Sequence, residues 1–370
     1  PEELEEAIDM LGANLNVYAG EQSITISVNT LARNFERTVA LVEEILLEPR
    51  WDEEQFELAK SRIINNHKRN NANPNYLAYI TFNKLAFGED NPLAVPTTGT
   101  IASIESLTLE DLKNYYESNF SPSLASLHVV GAIPLDEIKA AFEGINSRWE
   151  SKDVTIPEFE IPENPEASAI YFVDVPDAKQ SVIQIGNLSP TRTHPDYDGL
   201  QTMNYKLGGS FSGVLNMILR EEKGFTYGAR SYFSGNNLYG TFQASSSVRS
   251  NATLESMEIF KGEMDKYREG IAEEDLAFTK DALLKSNARQ FENMRSLQRM
   301  LEDISTYGLP FDYVSRHQEV TRSMSLEDHR MLAQKYIQPD HMYYVVVGDA
   351  ATQLKPLKAL GLGDPVLVEQ

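Results

Sequence analysis

The amino-acid sequence predicts an α+β protein built from two copies of one unit, in which helices cover a mainly antiparallel sheet. Three observations lead to this prediction: the length, a block that recurs at a constant spacing, and strand patterns followed by helix patterns in both copies. At 370 residues the chain fits two domains better than one. Its 41% hydrophobic and 24% charged residues are typical of a folded globular protein.

The recurring block starts with a helix cap and ends in a short apolar run that stops at glycine. Ser106–Asp111 leads to Val129-Val130-Gly131, and Ser323–Asp328 leads to Val346-Val347-Gly348. The two starts differ by 323 − 106 = 217 and the two ends by 348 − 131 = 217, so the register holds across the block. Each copy therefore predicts a capped helix, a proline turn and a buried strand ending in glycine.

Upstream of the block, both copies show the same order of elements. Period-two alternation predicts strands, and apolar residues every three or four positions predict helices. The first copy has predicted strands at Asn14–Val17 and Ser23–Asn29 and helices at Asn34–Glu48 and Asp52–Asn70. The second copy has predicted strands at Ala229–Phe233 and Gly240–Ser247 and helices at Ala252–Gly270 and Glu273–Arg289. Lys60 and Lys280 match on the second helix of each copy, 280 − 60 = 220 residues apart.

The second copy opens with a section that has no counterpart in the first. Two strands and two helices are predicted there, at Ile170–Val175, Ser181–Leu188, Pro195–Lys206 and Val214–Glu222. At the 217-residue spacing, the equivalent section of the first copy would lie before Pro1. The acidic, proline-rich stretch 151–166 is typical of a linker. We therefore predict a shortened first unit at 1–150 and a second unit at 167–370.

Composition argues against several classes of function. Lys and Arg number 33 against 55 Asp and Glu, and the resulting charge of −22 repels phosphate backbones, so no nucleic-acid partner is predicted. The absence of cysteine removes disulfides, thiolate metal sites and cysteine nucleophiles. No apolar stretch approaches the roughly 18 residues of a membrane span, so no membrane span is predicted.

The histidines do not form a metal-binding motif. Neither His-x-x-Glu-His nor His-Glu-x-x-His occurs, and no two histidines are four residues apart. We interpret all six as surface residues or hydrogen-bonded core residues: His67, His128, His194, His317, His329 and His341.

Two segments of the second unit have an unusual composition. Gly208–Gly213 lacks the Gly-Lys-Ser/Thr ending of a phosphate loop, so a hinge or close helix packing explains its glycines better. Further on, a helix is predicted to end at Gly224 and a strand to begin near Tyr227. Arg220 and Tyr227 can then project from the same end of the unit, although such residues are usually structural at a helix end and a strand start.

These segments resemble the pitrilysin/insulinase family of zinc peptidases, together with mitochondrial processing peptidase and the core subunits of cytochrome reductase. The resemblance runs nearly end to end and is carried by Gly208-Gly209-Ser210-Phe211, by Leu219–Gly228 and by both recurring blocks. It implies two α+β units that make one half of a chamber, facing a second half on the same or another chain.

The resemblance also indicates where zinc would be bound. The family's site is His-x-x-Glu-His with a distant Glu as third protein ligand. That Glu aligns with Asn66, whose amide is a poor zinc ligand, and the His-x-x-Glu-His segment would lie before Pro1. We therefore expect no cofactor in this chain and zinc in a partner half.

By the same resemblance, Arg220 and Tyr227 are the expected catalytic residues. Tyr227 would donate a hydrogen bond to the oxyanion formed at the peptide carbonyl, and Arg220 would hold substrate backbone carbonyls. The segment Gly208–Phe211 would contribute to substrate binding. The predicted function is the non-zinc half of a zinc peptidase that acts on extended peptides.

Two alternatives stay open. The chain could be a catalytically inert peptide-binding or assembly subunit, or an autonomous peptidase with an unrecognised metal site. The zinc-bearing half could be fused upstream or encoded separately. The family's bacterial members suggest the periplasm or cell envelope as the compartment.

Overall fold

The structure, a computed structural model, describes residues 2–288 and 291–369. Its α-helices are α1 (Glu2–Met10), α2 (Phe35–Leu47), α3 (Glu53–Asn70), α4 (Pro74–Phe87), α5 (Ile101–Ser106), α6 (Leu109–Asn119), α7 (Leu135–Ala141), α8 (Glu143–Arg148), α9 (Tyr197–Asn204), α10 (Val214–Asn216), α11 (Thr253–Tyr267), α12 (Glu273–Ala288), α13 (Met294–Tyr307), α14 (Tyr313–Ser323), α15 (Leu326–Tyr336) and α16 (Ala350–Gln353). Its strands are β1 (Asn14–Ala19), β2 (Ile24–Asn29), β3 (Ala169–Asp174), β4 (Gln180–Ser189), β5 (Thr226–Gly235), β6 (Gly240–Arg249), β7 (Tyr343–Gly348) and β8 (Val366–Val368).

The chain folds into two compact units. The first contains the residues up to His67 together with Pro96–Glu158, and the second contains Lys68–Val95 together with the residues from Phe159 onward. The segment that carries α4 therefore packs with the second unit, although it precedes most of the first unit's helices in the sequence. No described helix is long and apolar enough to cross a membrane.

The first unit has a small antiparallel sheet and a modest core. Strands β1 and β2 pair with each other from Asn14 opposite Asn29 to Ala19 opposite Ile24. Helix α2 places Val39, Val42 and Leu46 in the core, where Ile145 of α8 joins them. The apolar positions of α2 recur every three or four residues, which is why one face of this helix is buried.

The second unit is a six-stranded sheet with the strand order β5-β6-β4-β7-β3-β8. The pairs β5–β6, β6–β4 and β4–β7 are antiparallel, whereas β3 runs parallel to both β7 and β8. The main core lies on one face, where α9, α11 and α15 contribute buried residues such as Leu200, Phe260 and Ala333. On the other face α4 packs Phe82 and Ala86 against valines of the central strands. The predicted class, helices on a mainly antiparallel sheet, is confirmed.

The predicted strands and helices upstream of the recurring blocks are present, with ends that shift by a few residues. Two helices predicted in the second unit are α-helical over only part of their length. The first is α-helical only over Tyr197–Asn204 and then forms a π-helical turn at Tyr205–Gly209. The second is α-helical over Val214–Asn216 and π-helical over Met217–Glu222. Arg289, the predicted end of a further helix, lies outside the described residues.

The strand predicted at Val129-Val130-Gly131 is wrong. The chain is irregular there, and Val129 and Val130 are only partly buried. Its counterpart β7 is buried because it lies between β3 and β4 and pairs with both. In the described part of the first unit, β1 and β2 pair only with each other, so this segment has no strand to join.

The predicted helix caps are confirmed in both copies. The Thr108 hydroxyl accepts a hydrogen bond from the Asp111 N–H, and the Asp111 carboxylate accepts one from the Thr108 N–H. Ser325 and Asp328 form the same reciprocal pair at the start of α15. Such capping boxes satisfy backbone donors that the first helical turn leaves without partners.

Candidate functional site

The glycine-rich segment lies directly against β5, one of the two edge strands of the sheet. A Cβ atom built on Gly208 would lie 2.4 Å from the backbone nitrogen of Ser231. Any side chain at this position would push the π-helical turn Tyr205–Gly209 away from the strand. Close packing, one of the two interpretations drawn from the sequence, therefore accounts for this glycine.

Arg220 and Phe211 are brought together at the end of the following helix. The guanidinium carbon of Arg220 lies 4.7 Å from the centre of the Phe211 ring, within the range of a cation–π interaction. Its Nε atom is 3.3 Å from a carboxylate oxygen of Glu221. The Phe211 side chain is 63% exposed and the Arg220 side chain 39% exposed, so both remain accessible to a ligand.

Arg220 owes its position to an irregular helix end. The chain winds as a π-helix over Met217–Glu222, and the Lys223 N–H bonds to the carbonyl oxygen of Ile218 at 2.9 Å. Gly224 then takes a left-handed conformation with φ of +61°, which ends the helix and lets β5 begin at Thr226. The predicted glycine cap is confirmed, and π-turns of this kind are frequent at functional sites.

Tyr227 stands on a β-bulge at the start of β5. The pairing of β5 with β6 shifts between Thr226 and Ala229, so Tyr227 and Gly228 together occupy a single position in the ladder. The Tyr227 side chain is 90% exposed. Its hydroxyl has no hydrogen-bond partner among residues 2–288 and 291–369, so the phenol is available to a ligand.

The backbone beneath Tyr227 is held by two hydroxyl groups. The Gly228 N–H donates to the Thr226 hydroxyl oxygen at 3.0 Å. The Ser246 hydroxyl lies 2.9 Å from both the Thr226 hydroxyl and the Gly228 carbonyl oxygen. The bulge is therefore tied to β6, while the side chain of Tyr227 remains exposed.

Asn216 links the glycine-rich segment to the bulge. Its side-chain Nδ2 donates to the carbonyl oxygen of Phe211 at 2.7 Å, and its Oδ1 accepts from the Ala229 N–H at 3.2 Å. The side chain is 4% exposed. Asn216 was not among the residues selected from the sequence, although an amide that interrupts the apolar run Val214–Leu219 is a detectable signal.

Two further amides close the outer edge of β5. Asn204 donates to the carbonyl oxygen of Ser231 at 2.8 Å, and Gln201 donates to that of Phe233 at 3.0 Å. Asn216 bonds to Ala229 in the same way, so the bonded residues are Ala229, Ser231 and Phe233. This spacing of two is expected, because alternate residues of a strand direct their backbone groups to the same edge. This edge is therefore already hydrogen-bonded.

The candidate residues do not all come together. No hydrogen bond, ion pair or cation–π contact joins Arg220 to Tyr227 in the described part of the chain, and each is positioned by its own neighbours. Asn66 lies exposed on α3. Within the described ranges there is no group of three or more His, Cys, Asp or Glu residues that could hold a metal ion.

The buried histidines have structural partners, as interpreted from the sequence. His67 lies 3.1 Å from the Thr98 hydroxyl. His329 is 1% exposed and its Nε2 lies 3.1 Å from the hydroxyl of Tyr267, which donates to the carbonyl oxygen of Met203 at 2.7 Å. Burial lowers the pKa of His329 to about 4, so its ring is neutral at neutral pH.

Comparison with known proteins shows which family this chain is similar to. Residues 106–283 match the sequence profile of the domain described as Peptidase M16 inactive domain. Over this segment, which is 178 of the 370 residues, the chain is a homologue of the M16 peptidases. This M16 homologue is similar over 93% of its length to a Helicobacter pylori protein named a non-peptidase homolog, with 21% identity over 79% of that protein.

Solved structures share the fold of this M16 homologue. A peptidase M16 inactive domain from Pseudomonas fluorescens superposes with a TM-score of 0.87 at 22% identity, over 95% of this chain and 84% of that one. The periplasmic protease PqqL of Escherichia coli superposes with a TM-score of 0.76 at 14% identity, over 94% of this chain but only 38% of its own. The predicted resemblance to the pitrilysin/insulinase family is thus confirmed.

Proposed function

We propose that this M16 homologue is the zinc-free half of a two-part zinc peptidase and that Arg220 and Tyr227 contact the peptide substrate. The observation that carries the proposal is the exposed phenol of Tyr227 on a backbone fixed by Thr226 and Ser246. A solvent-exposed side chain on a rigid base is suited to act on a group supplied from outside. The superposition on PqqL supports the existence of a partner half. The region that superposes is 38% of PqqL, so in that protease this fold is accompanied by more than half of the chain.

The proposed chemistry follows from the two side chains. Attack on a peptide carbonyl builds negative charge on its oxygen, and a phenol O–H aimed at that oxygen lowers the barrier. Arg220 has five N–H donors in a planar arrangement, which suits it to bind peptide carbonyl oxygens beside the scissile bond. The residues of this chain would orient the substrate and stabilise charge, while zinc would be held by the partner half.

The test requires the zinc-bearing half, which we define as the M16 protein with His-x-x-Glu-His encoded in the same genome. The two chains are mixed, and cleavage of a fluorogenic peptide library is measured with Tyr227→Phe and Arg220→Ala. Loss of one oxyanion donor is expected to lower kcat by about 10²–10³ in Tyr227→Phe. Arg220→Ala is expected to raise KM, because its contacts are made before the transition state as well as in it.

A matched control separates these effects from general damage. Tyr115 is another exposed tyrosine, on α6 of the first unit, and Tyr115→Phe is expected to cleave at the wild-type rate. Wild-type activity in both Tyr227→Phe and Arg220→Ala would exclude the proposed catalytic roles.

A second candidate is a peptide-binding or assembly subunit without a part in catalysis. It is favoured by the descriptions of the matched domain as inactive and of the Helicobacter pylori relative as a non-peptidase. This candidate predicts that the chain binds peptide or its partner in a fixed ratio and that Tyr227→Phe leaves both unchanged. Titration calorimetry with the partner and with a library peptide measures this directly.

A further inference from the structure

We propose that Asn216 is the positioning residue that holds the Phe211–Arg220 pair and the Tyr227 bulge in one arrangement. The inference rests on the proposed function, because it assigns Asn216 a role through two residues that contact substrate there. It is carried by the two hydrogen bonds of one buried side chain, which join segments that are otherwise separate in the sequence.

The Asn216 carboxamide is chemically matched to both of its partners. Its Nδ2 donates to the Phe211 carbonyl oxygen at 2.7 Å, and its Oδ1 accepts from the Ala229 N–H at 3.2 Å. Among side chains of this size, only an amide supplies a donor and an acceptor at fixed spacing without a charge. Asn216 is only 4% exposed. Removal of its amide therefore leaves two backbone groups without a hydrogen-bond partner at a place that water does not reach.

Each bond reaches one half of the candidate site. The Phe211 carbonyl belongs to the residue whose ring lies beneath the Arg220 guanidinium. The Ala229 N–H lies at the end of the bulge that presents Tyr227. Asn216 is also four residues before Arg220, in the same helical segment. A shift of this one side chain therefore moves both substrate-contacting groups.

The other amides along β5 lack this double connection. Gln201 donates to the Phe233 carbonyl oxygen, near the opposite end of the strand, and within the described residues it forms no hydrogen bond to the glycine-rich segment. Asn204 bonds to both the carbonyl oxygen and the hydroxyl of Ser231. Gln201 is thus a matched control, because it caps the same edge without touching either half of the site.

The experiment compares three variants of the full chain mixed with the zinc-bearing half. Asn216→Leu removes both bonds at similar volume, Asn216→Asp keeps an acceptor for Ala229 but loses the donor to Phe211, and Gln201→Leu is the control. For each, kcat and KM are measured with the fluorogenic peptides, and hydrogen exchange is measured over residues 209–213 and 227–231. If Asn216→Leu does not fold, Asn216→Ser replaces it, since serine cannot reach both groups.

The expected result is a graded loss. Asn216→Leu should lower kcat/KM roughly 10-fold to 100-fold, because small misplacement of catalytic groups has effects of this size, and should speed exchange in both segments. Asn216→Asp should raise KM more than it lowers kcat, and should speed exchange mainly over residues 209–213. Gln201→Leu should keep wild-type kinetics.

The possible failures can be told apart. If Tyr227→Phe and Arg220→Ala slow cleavage but Asn216→Leu behaves like Gln201→Leu, the role of Asn216 is overturned and the proposed function stands. If Tyr227→Phe and Arg220→Ala both cleave at the wild-type rate, the proposed function is overturned, and the role of Asn216 in it falls as well. If Asn216→Leu speeds hydrogen exchange in only one of the two segments, the proposed coupling between them is overturned as well.

Discussion

The guanidinium carbon of Arg220 lies 4.7 Å from the centre of the Phe211 ring. In the sequence, Ser212, Gly213 and the start of the helical segment lie between the two residues, and Arg220 belongs to the π-helical turn Met217–Glu222. The ring gives the guanidinium a fixed surface on one side, and the 39% exposed arginine stays accessible on the other. Phe211 is therefore expected to act on substrate binding through Arg220.

Replacing Phe211 with leucine removes the cation–π contact at an exposed position. Such a contact is worth about 0.5–1 kcal/mol, so Phe211→Leu should raise KM about twofold to fivefold with the zinc-bearing half. Phe211→Tyr keeps an aromatic face and should retain the wild-type KM. The thermal midpoint should hardly change in either variant, because the side chain is 63% exposed. Equal KM values for the leucine and tyrosine variants would contradict this role.

Gly208 and Gly262 should respond in opposite ways to alanine. A Cβ on Gly208 would lie 2.4 Å from the Ser231 nitrogen, whereas one on Gly262 meets nothing within 4 Å. Gly208→Ala should lower the free energy of unfolding by about 1–3 kcal/mol. Gly262→Ala, inside α11, should raise it by up to about 1 kcal/mol. Urea denaturation measures both, and a stable Gly208→Ala variant would contradict the close approach to β5.

His329 should make the stability depend on pH on the acidic side of neutrality. Its pKa is about 4 in the folded protein and about 6.5 when unfolded. Between these values the unfolded state binds a proton that the folded state does not, so the free energy of unfolding falls as the pH falls from 6.5 to 4. The full loss is on the order of 3 kcal/mol, and above pH 6.5 this group contributes no slope.

The variant His329→Leu tests this dependence. Leucine is found at the matching position of the first copy, Leu112, 329 − 112 = 217 residues earlier. The variant should lose stability less steeply than the wild type between pH 6.5 and pH 4, as measured by thermal midpoints across that range. Parallel curves for the two proteins would show that His329 titrates normally.

Lys60 and Lys280 make the same contact in the two copies. The Lys60 ammonium donates to the carbonyl oxygens of Glu105 and Leu107 at 3.2 and 2.7 Å, and the Lys280 ammonium donates to that of Arg322 at 2.9 Å. The Lys60 side chain is only 16% exposed. Because hydrogen bonds of charged groups are worth about 1.5–3 kcal/mol, Lys60→Met should destabilise the protein by about that amount.

Lys285→Met is the control for this prediction. Lys285 is 74% exposed, and among the described residues it pairs with Asp281, one helical turn away. Exposed pairs of this kind contribute about 0.3–0.5 kcal/mol. Unfolding in urea should therefore rank the lysine variants with Lys60→Met well below Lys285→Met. A similar midpoint for both would mean that the Lys60 contacts add little.

Much of the fold follows from local patterns in the sequence. Alternating residues mark β5, and helical periodicity marks α2 and α11, because each of these elements buries one face. The helix end and the strand start that carry Arg220 and Tyr227 were also predicted, because Gly224 is a typical helix cap.

The missed features depend on contacts between distant residues. The strand predicted at Val129-Val130-Gly131 has the composition of β7, but β7 is a strand only because β3 and β4 flank it. Helix α4 packs on the sheet of the second unit, and no local pattern could assign its Phe82 to that core. Asn216 looks like a polar interruption of a helix until its two partners are known.

The sequence by itself predicted two related units and the order of most elements, because these depend on residue type and spacing along the chain. The choice of Arg220 and Tyr227 as candidate residues came from the resemblance of their segment to the pitrilysin/insulinase family. Tertiary structure decided that Arg220 rests on Phe211, that Tyr227 stands on a bulge, and that Asn216 connects the two. Hydrogen bonds and ring contacts form between groups a few ångströms apart in space, and only folding brings such groups together from separate segments.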